Sequence, residues 1–394
     1  MNIAIIGGGP AGLIAAETLV GADASVIVYD RKPSLGRKFL MAGRGGLNLT
    51  HSEALGTFMK KYGTAEKFLA PLIQDFSPNK LRAWCEELGQ ETFVGSSGRV
   101  FPKVMKASPL LRAWLNRLDQ AGVQFKLQRT WKGFTEDGAL IFDTPDGMVK
   151  TARPDAVLLT LGGASWPSLG SDGAWTKLIK APINALKPSN CGFVCNWSGY
   201  MKKYAGTPLK NITITHDSQT INGEAIITEN GIEGGAIYAL SPSIRDHLPA
   251  TVTIDLRPHS SKADLVKKMD VPRARQSFST FLQKATGLPP AAISLLREAN
   301  KGIQNLSSVE VAALIKAVPV TFTAPFSIER AISSAGGIKL DAIDSNFMLK
   351  NMDGVFAAGE MLDWEAPTGG YLLQGCFATG VAAANGIMNY LKTA

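Results

Sequence analysis

The chain has few cysteines and few charges, and it has no long apolar run. Four Cys occur among 394 residues: Cys85, Cys191, Cys195 and Cys376. No CxxC and no His/Cys pair of zinc-finger spacing occurs among them, so neither a disulfide framework nor a zinc site is expected. Charged residues make up 19%, yet 45% hydrophobic residues are ample for a core, and disorder is not expected. No 18-residue uncharged apolar stretch exists, so no transmembrane helix is expected. A strand pattern starts at Asn2 with no basic n-region before it. That argues against a secretory leader and for a soluble, reduced, cytoplasmic protein. No G-X-Y period excludes collagen. The net charge of +8 is mild and scattered, with no basic run longer than a pair. It fits a solvated surface or a site for an anionic cofactor or substrate. Nucleic acid is not expected as a partner, because no recognition motif accompanies the charge.

Glycine is the residue in excess, with 40 copies, about 10% against a usual ~7%. Each glycine costs backbone entropy, so the excess points to tight turns and close backbone approaches. Residues 2–30 read as strand, Gly-rich turn, helix and second strand. The turn, Gly7-Gly8-Gly9-Pro10-Ala11-Gly12, fits G-x-G-x-x-G in its proper setting. Gly7 makes the turn, Gly9 admits a pyrophosphate, and Gly12 allows close helix–strand packing. The N–H groups of the following helix face the phosphates. Asp30, ending the second strand, can accept from a ribose diol. This predicts dinucleotide binding, by FAD or NAD, with Pro10, Ala11 and Arg31 in the same site.

The rest of the chain falls into regions. Residues 64–90 and 107–121 look helical, and 123–150 strand-like with a turn at 136–138. Residues 155–161 form a buried parallel-type strand. Residues 191–257 look strand-like and 260–317 helical, with a helix start at Pro289-Pro290 and a capping box from Ser307 to Glu310. The buried-strand style returns at GVFAAGE, 354–360. The expected organisation is an α/β Rossmann-like domain, 1–188 with 335–394, interrupted by two inserts. One insert is β-barrel-like, 189–258 with 320–334; the other is helical, 259–319. No second G-x-G-x-x-G stands between a strand and a helix, so no second nucleotide domain is expected.

The early fingerprint and the late strand ending at Gly359-Glu360 resemble the two FAD segments of glutathione-reductase-type flavoproteins. More closely, the chain resembles the BaiN-like (YhiN-like) flavoproteins, FAD-dependent oxidoreductases of which some are labelled aminoacetone oxidase. The matching segments run nearly end to end: LGRKFLMAGRGGLNLTH (35–51), GRVFP (98–102), LGGASWPSLGSDG (161–173), ITENGIEGGAIY, ISSAGGI (332–338) and GEMLDWEAPTGGYLLQGCFATG (359–380). One position departs. Where relatives carry Arg-Cys, this chain has Gly46-Leu47, so no role of that Cys transfers.

The resemblance implies non-covalent FAD, with NAD(P)H as a candidate transient donor and a small organic molecule as substrate. It places Gly359 and Glu360 at the ribitol and pyrophosphate, and Arg37 and Lys38 opposite the phosphate charge. Gly43, Gly45 and Gly46 would lie against the flavin ring, with Asn48 and Thr50 at its edge. Thr160, Gly162 and Gly163 would form a crossover to the cofactor. Thr368, Gly369, Gly370 and Tyr371 would open a last helix whose N-terminus can stabilise charge at the flavin N1/O2 side. Cys376 and His51 are the candidate reactive side chains. Cys376 can be a redox thiol or a core residue, and His51 an acid/base or a polar loop residue. The sequence leaves open the substrate, the direction of electron flow and the oligomeric state. It also leaves two rival roles: an RNA-modifying flavoprotein, and a flavin-binding regulatory protein without turnover.

Overall fold

The computed structural model describes residues 1–22, 24–41 and 46–393. They form two compact units, residues 1–187 with 333–394, and residues 188–332.

The first unit is built on a five-stranded parallel sheet. Its order is Val355–Ala357, Ala156–Leu159, β1 (Asn2–Ile6), β2 (Ser25–Tyr29) and Gln124–Lys126. The two central strands are apolar because both their faces are covered: Ile3, Ile5, Ile6, Leu158 and Leu159 are all buried. Register aligns the strand ends. Ile6 lies opposite both Leu159 and Tyr29, and Leu159 opposite Ala357. Gly7, Asp30, Thr160 and Ala358 therefore emerge together at the carboxyl edge of the sheet, where open α/β sheets bind ligands.

Helix α1 (Pro10–Leu19) follows β1 and packs on the last helix, Tyr371–Thr393. Gly380 permits this, since a Cβ there would stand 2.5 Å from Ala11 O; Gly12 instead lets α1 lie close to the turn after β1, where a Cβ would stand 2.1 Å from Gly7 O. Glu17 of α1 anchors two further helices, Pro78–Glu87 and Ala107–Gln120. Its carboxylate accepts from Trp84 Nε1 at 3.0 Å, Trp114 Nε1 at 2.6 Å and Arg117 Nη1 at 2.8 Å. A small antiparallel sheet, Thr50–His51, Arg99–Pro102 and Thr92–Val94, carries the loop after residue 46. A second one, Thr130–Phe134, Leu140–Thr144 and Gly147–Lys150, contains the expected turn, with Gly138 at φ 83°.

The second unit holds a seven-stranded antiparallel sheet running from Val318–Phe322 to Ala324–Pro325. Its helices between residues 262 and 316 share one apolar core with those strands: Leu265, Leu282, Leu296 and Ile315 join Ile214, Ile227 and Val252. The capping box at Ser307 and Glu310 is present, and Pro290 opens a helix. One expectation is corrected. Residues 235–245 are helical, not strand-like. Ala236, Ile237, Leu240 and Ile244 are the buried apolar positions, a spacing near 3.6 that lines one helical face.

Candidate dinucleotide and flavin site

The G-x-G-x-x-G turn carries its residues where the spacing predicts. Gly7 takes φ +113°, and a Cβ there would meet Thr160 O at 2.3 Å. Thr160 Oγ1 donates within reach of Ile6 O at 3.1 Å and Gly7 O at 2.8 Å, tying the two strand ends. Gly9 is the N-cap of α1, with no side-chain cap, and Pro10 begins the helix. A Cβ on Gly9 would meet nothing within 4 Å. Space is thus kept open at the one glycine that faces the positive end of the helix, beside the buried Ala11. An open, uncapped helix N-terminus of this kind suits a phosphate group.

Asp30 lies beside this turn. Its Oδ2 accepts from Gly8 N and its Oδ1 from Lys32 N, each at 2.8 Å. Burial pushes its carboxyl above the usual carboxylate range, against the pull of those N–H groups and of Arg31 and Lys32. Arg31 forms an ion pair with Asp172. Burial would raise Asp172, but the bonds from Arg31 and from Ala174 N hold it low. Arg37 Nη1 donates to Ser34 Oγ at 3.3 Å.

Lys38 and Glu360 meet each other. Lys38 Nζ donates to Glu360 Oε2 at 2.9 Å and to Ser165 Oγ at 2.8 Å. Glu360, buried at 7% exposure, also accepts from Ser334 N at 2.9 Å and Gly163 N at 3.4 Å. Gly162 stands beside Ser171, which donates to Gly163 O at 2.6 Å. Gly359 N donates to Thr379 Oγ1 at 3.1 Å, and Gly359 O accepts from Trp364 Nε1 at 3.0 Å. Four loops far apart in sequence are thus tied through one carboxylate. Ser165 and Ser334 were not legible as participants, because only tertiary pairing brings them there.

At the start of the last helix, Thr368 precedes Gly369 and Gly370, which take φ +119° and +99°. A Cβ on Gly370 would lie 2.5 Å from Thr50 Cα, so this turn presses on the strand Thr50–His51. Tyr371 begins the helix, and its hydroxyl donates to Glu53 Oε1. Burial, then the Glu53 carboxylate, drive the Tyr371 phenol far up, against Arg99. The His51 ring stacks on Tyr371 with centroids 5.5 Å apart. His51 Nδ1 accepts from Glu53 N at 3.2 Å, which leaves Nε2–H to donate to Ser97 O at 3.0 Å. Both ring nitrogens are engaged, and Glu53 is a neighbour that the reading of His51 alone missed. Cys376 faces the core. Burial, then the nearby Glu360 charge, push its thiol up to about 12, against Lys38. A thiol of that kind stays protonated at neutral pH.

Gly46 takes φ +94° beside Met105. Gly43 and Gly45 lie outside the described residues. Two buried side-chain atoms in this region, Asn48 Oδ1 and Thr50 Oγ1, lack a hydrogen-bond partner among the described residues. Buried polar atoms are seldom left unpaired. These two, with the open cradle at Gly9, fit a group that offers polar edges at one end and phosphates at the other. The residues present therefore fit a flavin dinucleotide. Among the described residues, no cluster of metal-ligating side chains exists, and no helix is long and apolar enough to cross a membrane.

Residues 1–386 match the family described as HI0933-like protein Rossmann domain. A 3-dehydro-bile acid delta(4,6)-reductase of Clostridium scindens is 26% identical, over 97% of this chain and 98% of that protein. A ribosomal RNA dihydrouridine synthase of Haemophilus influenzae is 24% identical, over 96% of each. Among solved structures, the fold is shared with a 3-ketosteroid delta1-dehydrogenase of Sterolibacterium denitrificans. The TM-score is 0.53 at 11% identity, covering 98% of this chain and 99% of that one.

Proposed function

The chain belongs to the HI0933-like Rossmann-domain family, and from that premise we propose a FAD-dependent oxidoreductase that adds hydrogen to a carbon–carbon double bond conjugated with a carbonyl. The observation that carries the flavin part is the open cradle at Gly9, aligned with Asp30 at the strand ends. The two similar enzymes support the substrate class. One is named for reducing steroid-ring double bonds of a 3-oxo acid, the other for making dihydrouridine. Each product is a ring that gained two hydrogens across a double bond in conjugation with a carbonyl.

Bound FAD would supply the hydride centre, and the remaining work falls to the chain. Gly9 and the N-terminus of α1 hold phosphates, and Asp30 accepts from a ribose hydroxyl. The Glu360–Lys38 pair locks the loops around the cofactor, non-covalently held. Asn48 and Thr50 supply polar atoms to the ring edge. The start of the last helix, at Thr368–Tyr371, favours negative charge beside it. Tyr371 holds a proton on its hydroxyl against Glu53. The proposed substrate is a small organic molecule, with NAD(P)H as a transient donor and the cytoplasm as the place of action.

Anaerobic titration tests this reading. The purified protein should be yellow, bleach with NADH or NADPH, and regain colour with a 3-oxo-4-ene steroid acid. Colourless protein would sink the flavin assignment. Bleaching without recovery on any conjugated enone would sink the substrate class, and absence of bleaching by any donor would favour binding without turnover. A second reading, reduction of uridine in RNA, is favoured by the similarity to the dihydrouridine synthase. Recovery of colour with RNA but not with enones would select it.

A further inference from the structure

We propose that Arg99 is the anion-binding residue of a ligand site on the first unit, and that the site takes a flat, apolar organic acid through its carboxylate. Calling that acid the substrate rests on the oxidoreductase reading; the site itself does not. Nothing in the cofactor assignment uses the Arg99 guanidinium.

The fold sets Arg99 on an open face. In the strand Arg99–Pro102, Val100 and Pro102 are buried, whereas Arg99 and Phe101 are half-buried. Side chains alternate along a strand, so Arg99 and Phe101 share one face. Register adds two neighbours to it, His51 opposite Arg99 and Phe93 opposite Phe101. Phe93 is 36% exposed, and its ring stacks on that of Phe101 with centroids 5.7 Å apart. The Arg99 side chain also reaches the turn before the last helix, where a Cβ on Gly369 would stand 3.6 Å from Arg99 Nε. One face thus runs from a cation beside that glycine turn to a pair of open aromatic rings.

The cation is unpaired. Among the described residues, the Arg99 guanidinium has no hydrogen bond and no ion pair. Glu53, the acid beside this face, is taken. It accepts from the Tyr371 hydroxyl, and His51 Nδ1 lies 3.8 Å from the same oxygen. His51 offers no donor of its own, since Nε2 is engaged with Ser97 O. A guanidinium so placed presents donors that only water or a ligand can meet. Its planar fork matches a carboxylate bidentately. One cation next to the Glu53 carboxylate suits a single negative charge better than the two of a phosphate ester. Phe101 stands two residues along the strand, about 7 Å away, close to the span from carboxylate to ring in a 3-arylpropenoate. Such an acid also carries a double bond conjugated with its carboxyl group, the arrangement on which the proposed reaction acts.

The test is isothermal titration calorimetry of the purified protein with trans-cinnamate and with its uncharged amide. Cinnamate should bind at least tenfold more tightly than the amide, because only the acid forms the charge-assisted pair. Arg99→Gln should abolish that preference and weaken cinnamate at least tenfold, and Arg99→Lys should recover part of the loss. Phe101→Ala should weaken acid and amide alike, by about fivefold. Flavin content and melting temperature read whether each variant is loaded and folded, and the acid–amide comparison in the parent depends on no variant. Equal affinity for acid and amide in the parent, no binding of either, or full cinnamate affinity in folded Arg99→Gln would overturn the proposal. Folded Arg99→Gln protein that has lost its flavin would give the guanidinium to the cofactor and overturn it too. Colourless parent protein that still prefers the acid would support the site and overturn only the oxidoreductase reading.

Discussion

Lys38 Nζ lies 2.9 Å from Glu360 Oε2, joining two loops 322 residues apart in the chain. The Glu360 side chain is 8% exposed and that of Lys38 25%. Removing one partner of a buried pair strands the other charge, at about 3 kcal/mol. Lys38→Met should therefore lower the melting temperature markedly. Lys38→Met with Glu360→Gln should be less destabilised than the single Lys38 variant. Thermal melts of the three proteins check this, and strictly additive losses would refute the coupling.

Gly9 and Gly12 should part company when changed to alanine. A Cβ at Gly12 collides with Gly7 O at 2.1 Å, whereas one at Gly9 meets nothing within 4 Å. Gly12→Ala should destabilise the fold by about 2 kcal/mol or more through overpacking. Gly9→Ala should fold as well as the parent and lose bound flavin at least tenfold. Flavin content per folded protein, read beside the melting curve, separates the two. A yellow, full-occupancy Gly9→Ala protein would show that the space is not the cofactor's.

Flavin retention should depend on pH through Asp30. Burial raises this carboxyl above its unfolded value, near 3.9 for an ordinary Asp. The folded state thus holds the proton more tightly, and ionisation costs stability as pH rises from the unfolded towards the folded pKa. A ribose hydroxyl donates to the ionised form and lowers the pKa, so binding should tighten as pH rises through it and then level off. Asp30→Asn should flatten the profile and weaken binding. Retention that is flat with pH in the parent, while the protein stays folded, counts against Asp30 as the ribose acceptor.

Cys376 should be inert. With its thiol pushed up to about 12, the thiolate at pH 8 is about one part in ten thousand. None of the four thiols is in a disulfide and all are buried, so a thiol reagent should label the native protein slowly and the unfolded protein fully. Cys376→Ala should keep donor-driven bleaching within about twofold. A hundredfold loss of that rate in folded, yellow protein would restore a redox role.

Glu17 should anchor α1 more than its surface position in the helix suggests. Glu17→Ala removes the acceptor shared by Trp84, Trp114 and Arg117. Leaving two indole N–H groups unpaired, with Arg117 keeping only Glu87 at 3.6 Å, costs about 2–4 kcal/mol. Urea unfolding followed by Trp fluorescence measures it. An unchanged midpoint would mean that water replaces the carboxylate.

Much of this protein is determined by local pattern. The glycines at 7, 9 and 12, the apolar strands beside them and Asp30 two elements on form a contiguous signal, because strand, turn and helix are set by near neighbours. The capping box at Ser307 belongs to the same class. The helix 235–245 was lost because its short apolar run fits period 2 and period 3.6 almost equally, and packing against the sheet decides between them.

Other features exist only once the chain is folded. Lys38 and Arg37 are alike in sequence, yet one meets Glu360 and the other Ser34. Ser334 and Ser165 gain their places from the same knot. Cys376 stands near a helix start, which favours a thiolate locally, but the core around it removes water and keeps the proton on. The sequence by itself determined the glycine turn between β1 and α1 and the open helix N-terminus at Gly9, since these rest on backbone geometry within a dozen residues. Which charges are paired, which polar atoms are left open and which cations face solvent was decided by tertiary structure, since burial and partnership depend on atoms brought together from distant parts of the chain.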